Sequence, residues 1–340
     1  MFSRVLLALP VLSLFHLQTF ATPVAQFEDL GGLFKDLKNL QAEIRINTRE
    51  LVQDILNGGK SGQSEEVEPK PTACTGTCCI WYDVSAELTR LFKTTNGECN
   101  EFARGAVRLG FHDAGTWDPV ADDGGADGSF LMDFGEHERR ENNGLQSIRK
   151  VLRDLQARFS VGFADLAQYA HNHATVSCPR GPRIRTFVGR TDATKAAPVG
   201  RLPDTHDAPE NLIKMFEEKG FTARDLVALL GAHTAATQRF VDQSRTGQLD
   251  RTPGVWDVDF YNETLANPAP RDYFVLPSDK ALSAHPQTSN AWNGFVDKQL
   301  AWNAAYSRAY IRMSLLGVKN VSSLVDCTVT LPKETGNGGR

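Results

Sequence analysis

After Cys74, apolar residues recur at intervals of three and four in one segment after another, and this repeat limits the possible folds more than any other feature. The clearest segments are VSAELTRLF, GLQSIRKVLRDLQARF, DLAQYAHNHATV, PENLIKMFEEKG, TARDLVALLGAHTAAT and NAWNGFVDKQLAWNAAYSRAYIRMSLLG. Such spacing places apolar side chains on one face of an α-helix, whereas a half-buried strand alternates every second residue. Turns rich in Gly, Pro or Asp separate the segments, and strand patterns are few. The sequence therefore predicts a mainly α-helical body with long loops.

Two of the helical stretches carry a histidine on a face that should be buried. AVRLGFHDAG places Arg108 and His112 four residues apart on one helix face, with Phe111 beside them. In TARDLVALLGAHTAAT, His233 continues the leucine stripe of a helix that begins with a Thr-x-x-Asp capping pattern. A single buried histidine is more often a hydrogen-bonded core residue than a ligand. Two helical stretches that end GFHDA and GAHTA favour a polar site instead.

Two stretches gather oxygen ligands close to these histidines. HDAGTWDPVADDGGADGS carries several aspartates and a serine after His112, and LDRTPGVWD carries two aspartates and a threonine in the loop after His233. Carboxylate and hydroxyl oxygens on tight turns suit calcium, although neither stretch is an EF-hand loop. Solvated turn aspartates are the alternative interpretation.

The N-terminus and the cysteines indicate an oxidising compartment. Residues 1–21 combine an early arginine, an apolar run and a small residue at the end, as a secretory signal peptide does. No later stretch resembles a membrane span, and a net charge of −4 does not favour nucleic acid as a partner. Six cysteines follow the leader without a zinc-binding pattern, which predicts three disulfides but leaves their pairing open. We expect a secreted, soluble protein.

Residues 22–70 form a separate unit before the body at 71–340. LGGLFKDLKNLQAEIRINTRELVQDIL predicts an amphipathic helix that ends at Asn57-Gly58-Gly59. It is interpreted as a propeptide, with a dimerising helix or a helix packed on the body as alternatives. The stretch from Gly58 to Pro71 is rich in Gly, Ser, Glu and Pro and is predicted to be a linker.

Together these features resemble the secreted fungal haem peroxidases, class II of the plant-type peroxidase superfamily, over about residues 74–332. RLGFHDA matches the distal motif, LLGAHTAA matches the proximal histidine motif, and GRTDATKA resembles the family's Gly-Arg-x-Asp-Ala segment. The resemblance implies a mainly α, two-domain haem peroxidase fold. One haem b would lie between a distal half, about 74–190, and a proximal half, about 191–332, with Phe111 beside it.

The resemblance also implies a role for each residue around the haem. His233 would be the axial ligand of the iron, and Asp279 of LPSDKAL would accept its second ring proton. His112 would act as acid and base toward hydrogen peroxide while Arg108 stabilises developing negative charge. Asn142 of NNGL would hold the tautomer of the distal histidine.

The metal ligands and disulfides are assigned by the same resemblance. The ligands of two calcium ions would be Asp113, Gly125, Asp127 and Ser129 on the distal side, and Thr234, Asp250, Thr252, Val255 and Asp257 on the proximal side. The disulfides would be Cys74–Cys79, Cys78–Cys327 and Cys99–Cys178. Separately, Asn262 and Asn320 begin N-glycosylation triplets in a chain expected to be secreted.

The specialised electron routes of the family are incomplete in this sequence. Manganese-oxidising members use three acidic residues, and the corresponding positions here are Glu101, Gly105 and Arg239. The surface tryptophan of lignin-oxidising members corresponds to Ala228. The chain's own tryptophans are interpreted as packing residues, with a radical relay at a new position left open; they are Trp81, Trp117, Trp256, Trp292 and Trp302.

The sequence thus predicts a monomeric secreted peroxidase that reduces hydrogen peroxide and oxidises small phenolic or aromatic donors by one-electron steps at the haem edge. A manganese or lignin route at non-standard positions is the nearest alternative. A metal-dependent hydrolase would not require Arg108 four residues before His112. A secreted binding protein with a dead site would be expected to lose one of those two residues, and both are present.

Overall fold

The computed structural model of the chain describes residues 48–268 and 271–336, which belong to one compact unit. The predicted signal peptide and most of the predicted leader helix lie outside the described residues. Within 48–268 and 271–336, no helix is both long enough and apolar enough to cross a membrane.

Helices dominate the described residues, as the apolar spacing predicts. The first four after Cys74 are α1 (Cys79–Phe92), α2 (Glu101–Ala114), α3 (Gln146–Phe159) and α4 (Phe163–Ser177). The later ones are α5 (Pro209–Glu218), α6 (Ala223–Leu230), α7 (Asp259–Leu265), α8 (Pro277–Ala284), α9 (Ser289–Phe295) and α10 (Gln299–Met313). Short 3-10 turns lie at Ser129–Leu131, Glu136–Glu138, Arg140–Asn142, Gly231–Ala235, Gln243–Arg245, Val321–Ser323 and Thr328–Thr330.

The strands are short and form two antiparallel pairs. β1 (Phe187–Val188) pairs with β4 (Val325–Asp326) so that Phe187 lies opposite Asp326. β2 (Thr237–Gln238) pairs with β3 (Gly247–Gln248) so that Thr237 lies opposite Gln248. The first pair therefore ties the end of the chain to the segment that follows α4.

Local signals explain where α2 and α6 begin. Asn100 caps α2, since its side chain accepts the backbone N–H groups of Phe102 and Ala103. Thr222 and Asp225 form the predicted capping box at the start of α6. The α-helix then ends at Leu230, and the stretch that carries His233 continues as a 3-10 turn.

α2 approaches α4 and α10 very closely at Gly110. A Cβ atom placed on Gly110 would lie 2.6 Å from Cβ of His171 on α4 and 2.5 Å from Oη of Tyr310 on α10. Only glycine leaves room for this approach. The distal helix is therefore held against two helices that come much later in the chain.

Three disulfides are present, and they join the pairs that the resemblance implies. Cys74 bonds to Cys79 and Cys99 bonds to Cys178. Cys78 bonds to Cys327 across a sequence separation of 249 residues, which anchors the start of the helical body to its C-terminal segment. No free cysteine occurs among the described residues.

The segment before Cys74 packs against the body. Residues 48–56 are helical, in agreement with the predicted helix end, and Val52 and Ile55 are buried in the main core. Further on, Arg185 N–H donates to the Gly62 carbonyl (2.8 Å) and Ser64 N–H donates to the Arg183 carbonyl (3.1 Å). The stretch predicted as a linker is thus hydrogen-bonded to the body, while removal of residues 22–70 stays a prediction.

Candidate active site

A cavity of about 890 Å³ lies between α2 on one side and α6 with its following 3-10 turn on the other. α2 contributes Arg108, Phe111 and His112, and the opposite wall contributes His233. Much of the remaining lining is apolar, including Leu230 and Leu276. The volume of the cavity and its combination of apolar and polar side chains suit a large organic ligand.

On the α2 side, Asn142 orients the ring of His112, and a second hydrogen bond fixes the Asn142 amide. Nδ1 of His112 lies 2.8 Å from Oδ1 of Asn142, and Nδ2 of Asn142 donates to the Glu136 carbonyl (2.7 Å). Because its Nδ2 is the donor in that second bond, Asn142 presents Oδ1 as an acceptor to the ring. Nδ1 of His112 therefore carries the proton, and Nε2 is left as the basic atom.

Arg108 lies beside that basic nitrogen. Its Nε donates to Nε2 of His112 (3.2 Å), and its two terminal nitrogens donate to the carbonyls of Asn143 (2.8 Å) and Glu141 (2.7 Å). The guanidinium is accessible from the cavity, yet the surrounding walls reduce its solvation and lower its pKa to about 10. Arg108 therefore remains a cation at neutral pH.

His112 is held neutral in this surrounding. Lost solvation, followed by the charge of Arg108, lowers its pKa to about 3. At neutral pH the imidazole is thus available to accept a proton, next to a fixed positive charge.

On the opposite wall, His233 is oriented by a buried carboxylate. Its Nδ1 lies 2.8 Å from Oδ2 of Asp279, a residue at the start of α8 that is 1% exposed. The ring of Phe260 meets the imidazole edge to face at 5.7 Å. With Nδ1 bonded to a carboxylate, Nε2 is the ring atom left for a metal, and the carboxylate raises its basicity.

These residues fit a haem. A haem needs an axial imidazole oriented by a second group, an apolar cavity and a polar distal face. His233 with Asp279 meets the first requirement, the leucine-lined cavity the second, and Arg108 with His112 the third. Oδ1 of Asp279 is buried without a hydrogen-bond partner, so the bond to His233 through Oδ2 is the side-chain contact described for this carboxylate.

The residues predicted for the distal calcium site lie together at the end of α2. The buried carboxylate of Asp113 accepts the N–H groups of Gly128 (3.1 Å) and Phe130 (3.4 Å), and Asp127 accepts the N–H of Ser129 (3.0 Å). The Gly125 carbonyl accepts the Asp127 N–H (2.8 Å). Burial raises the pKa of Asp127 to about 6 and that of Asp113 well above its usual range.

The residues predicted for the proximal calcium site also converge. Oγ1 of Thr234 donates to Asp250, and Oγ1 of Thr252 donates to Asp257 (3.0 Å). The Val255 N–H donates to the Thr252 carbonyl (2.8 Å). Burial raises the pKa of Asp250 to about 8 and also raises that of Asp257, so both carboxylates are poorly compensated.

Both donor sets fit a hard cation. Among residues 48–268 and 271–336, no three or more side chains of His, Cys, Asp or Glu cluster as ligands of one metal ion, so neither set consists of these residue types alone. Each predicted site instead offers two carboxylates with hydroxyl and carbonyl oxygens, which are calcium's preferred ligands. Oγ of Ser129 is buried without a partner, an unused oxygen within the distal set.

The positions that the resemblance assigns to the specialised electron routes lie in the cavity wall and in the core. Glu101, Gly105 and Arg239 all line the cavity, but Arg239 pairs with Glu101 at 3.8 Å. Ala228 is fully buried, and its carbonyl accepts the indole N–H of Trp302 (2.9 Å). Of the two glycosylation candidates, Asn262 is exposed, whereas Asn320 is half-buried and donates to the Gly189 carbonyl (2.7 Å).

Two residues of the cavity wall were not anticipated from sequence. His171 on α4 and Tyr306 on α10 line the cavity and lie 2.9 Å apart through Nε2 and Oη. The spacing of Trp302, Tyr306 and Tyr310 at intervals of four is a signal for one aromatic face of a helix, but it does not reveal which segment that face meets.

Comparison with known proteins identifies the family of the chain. Residues 84–298 match the peroxidase family. The chain is 32% identical over 274 residues to the low-redox potential peroxidase of Taiwanofungus camphoratus, covering 75% of this chain and 78% of that protein. It is 31% identical to manganese peroxidase 3 of Phlebia radiata (76% and 77% covered) and 30% identical to ligninase C of Trametes versicolor (77% of each).

Proposed function

Because the chain belongs to the peroxidase family, we propose that it holds one haem b between His112 and His233 and oxidises small phenolic or aromatic donors by one-electron steps at the haem edge. The observation that carries the proposal is the pair of histidines on opposite walls of one cavity, each with Nδ1 bonded to a fixed oxygen. Hydrogen peroxide is the oxidant.

The distal residues carry out the proton chemistry. Nε2 of His112 takes a proton from hydrogen peroxide and returns it to the departing oxygen, because the ring is neutral and the Asn142 bond keeps Nε2 unprotonated. Arg108, fixed by two backbone carbonyls, stabilises the negative charge that develops as the O–O bond breaks.

The proximal residues hold the cofactor. Nε2 of His233 would ligate the iron, and Asp279 would keep the imidazole electron-rich by accepting the Nδ1 proton. When bound, haem would supply the redox centre for the two-electron reduction of hydrogen peroxide, and donors would return the electrons one at a time.

Several further features of the chain are also proposed. Two calcium ions would occupy the distal and proximal oxygen sets, and the distal and proximal halves would divide near residue 190. We further propose that residues 1–21 direct secretion, that residues 22–70 are a leader unit, and that the mature protein is a monomer.

Haem binding tests the assignment directly. His233→Ala should lose most of its haem, since the change removes the proposed ligand atom of the iron, while the apoprotein stays folded. His112→Leu is the matched control: it should keep its haem and react with hydrogen peroxide at least ~10²-fold more slowly. Absorption spectra, haem content and stopped-flow mixing measure both effects.

Wild-type haem content in His233→Ala would show that another residue ligates the iron. An unchanged peroxide rate in His112→Leu would remove the distal assignment.

A further inference from the structure

Tyr306 and His171 form a hydrogen-bonded pair inside the cavity wall. Nδ1 of His171 lies 2.7 Å from the Val107 carbonyl, which can only accept, so Nδ1 carries the ring proton. Nε2 is then the acceptor, and Oη of Tyr306 donates to it at 2.9 Å. Both residues are at most 1% exposed, and both line the proposed haem cavity.

Close packing of α2, α4 and α10 holds this pair in place. α2 approaches α4 at Gly110, which brings the Val107 carbonyl to His171. The Tyr310 ring, one turn after Tyr306 on α10, stacks on the His171 ring with centroids 3.3 Å apart. The imidazole therefore has no room to turn away from the Tyr306 phenol.

A phenol in this arrangement is easily oxidised. Removal of an electron turns a phenol into a strong acid, so oxidation is far easier when a base already accepts its O–H. Burial lowers the pKa of His171 to about 3 and raises that of Tyr306 well above its usual range, so the resting pair is neutral. A proton passes to His171 only when the phenol is oxidised.

We propose that Tyr306 is an internal one-electron donor of the cavity and that His171 is its proton acceptor, an inference that rests on the proposed haem site. Tyr306 gives one electron to haem that hydrogen peroxide has oxidised. Its O–H bond breaks, and the proton forms an N–H bond at Nε2 of His171. The products are a neutral tyrosyl radical and an imidazolium. An external phenol later returns the electron, becomes a phenoxyl radical and releases its own proton to solvent, and His171 returns the proton to Tyr306.

The surrounding rings confine the radical. Trp256 meets Tyr306 edge to face at 4.7 Å, and Trp302 stacks on Trp256 at 5.0 Å. Both indoles are 0% exposed, as is Tyr310. Because every ring described against Tyr306 is buried, the oxidising equivalent stays in the protein interior until a donor at the cavity removes it.

Electron paramagnetic resonance after one equivalent of hydrogen peroxide, without donor, tests the proposal on the haem-loaded protein. The wild type should give a tyrosyl signal that disappears when a phenol is added. Tyr306→Phe should lose the signal, and peptide mapping with a spin trap should lose the adduct at this position. Tyr310→Phe is the matched control and should keep both, since the Tyr310 hydroxyl donates to Gln168 rather than to an imidazole.

His171→Gln separates the proton acceptor from the hydrogen bond. Its amide oxygen can accept the Tyr306 O–H but is not basic enough to keep the proton, so the tyrosyl signal should fall while haem content stays at the wild-type level. A tyrosyl signal that persists in Tyr306→Phe would overturn the proposal. A wild type whose haem spectrum responds to peroxide without any tyrosyl signal would overturn it and leave the proposed function intact, whereas absence of haem would overturn both.

Discussion

We expect Glu101, Gly105 and Arg239 to determine how well the cavity wall binds a divalent cation. Manganese prefers carboxylate oxygens, and here one carboxylate is already paired with a guanidinium at 3.8 Å. A cation at this position also repels an incoming metal ion. We therefore expect the protein to oxidise phenols but to turn over free manganese poorly.

The deficit should be repairable by changing two residues. Glu101 and Gly105 are four residues apart on α2, so a second glutamate would share the face of the first. Gly105→Glu combined with Arg239→Asp should raise manganese oxidation well above the wild-type rate in steady-state assays and change phenol oxidation little. The substitution at position 105 should disturb packing slightly, because a Cβ atom there would lie 3.1 Å from the Ile148 side chain.

Arg239→Gln is the matched control, since it removes the ion pair without adding a carboxylate and should stay near wild type with manganese. Efficient manganese turnover by the unmodified protein would show that these three positions do not limit it.

At the scale of whole elements, the calcium sets connect loops to the two histidine-bearing segments. Asp113 directly follows His112 on α2, and Thr234 directly follows His233. Both sets contain carboxylates whose pKa burial raises, so a bound cation would relieve an uncompensated charge at each. Loss of calcium is therefore expected to disturb the cavity as well as the loops.

A strong calcium chelator should lower the melting temperature and the peroxidase activity together. Two ions held at ~100 times their Kd would contribute about 5 kcal/mol, and a loss of that size lowers Tm by roughly 10 °C. Asp250→Asn should lessen the chelator's effect, while Asp154→Asn, at an exposed helix position, should not. Thermal melts and activity assays with and without the chelator measure these effects.

The calcium assignment would fail if protein shown by elemental analysis to contain calcium melted identically with and without the chelator.

Across the molecule as a whole, Arg183 joins the segment before Cys74 to the C-terminal tail. Its guanidinium donates to the carbonyls of Glu66 (2.7 Å) and Thr328 (2.7 Å), and also bonds Ser64, Leu331 and Pro332. Arg183 is 1% exposed, so these carbonyls take the place of the water molecules that would otherwise solvate its guanidinium. The segment from residue 48 to residue 66 is thus part of the packed body in this structure.

A chain that begins at residue 71 should melt at a lower temperature than one that begins at residue 48. Truncation exposes the core around Val52 and Ile55, at about 1.5–3 kcal/mol for each side chain, and leaves Arg183 without two partners. Scanning calorimetry of both chains measures the difference. Ile55→Ala in the full chain should destabilise by about 2–5 kcal/mol, whereas the exposed Gln53→Ala should change little.

Equal melting temperatures for the two chains would mean that residues 48–70 add nothing to stability.

Much of the fold and part of the site were predictable because the sequence signals are local. The four-residue spacing of Arg108 and His112, the capping box at Thr222, and the helix end near Asn57 each depend on neighbours within one or two turns. The apolar repeats located the helices for the same reason. The break at Asp297, which has a positive φ of 55° and separates α9 from α10, was not predicted because nothing in the neighbouring apolar pattern requires it.

By itself, the sequence determined the helical class, the faces that become buried, and the two motifs that bear histidines. The tertiary structure alone decided which faces meet. Tyr306 reaches His171 across 135 residues, and Arg183 meets carbonyls from both ends of the described chain. The physical reason is that helical periodicity is a property of one segment, whereas a contact between segments depends on how closely their backbones approach, as Gly110 shows.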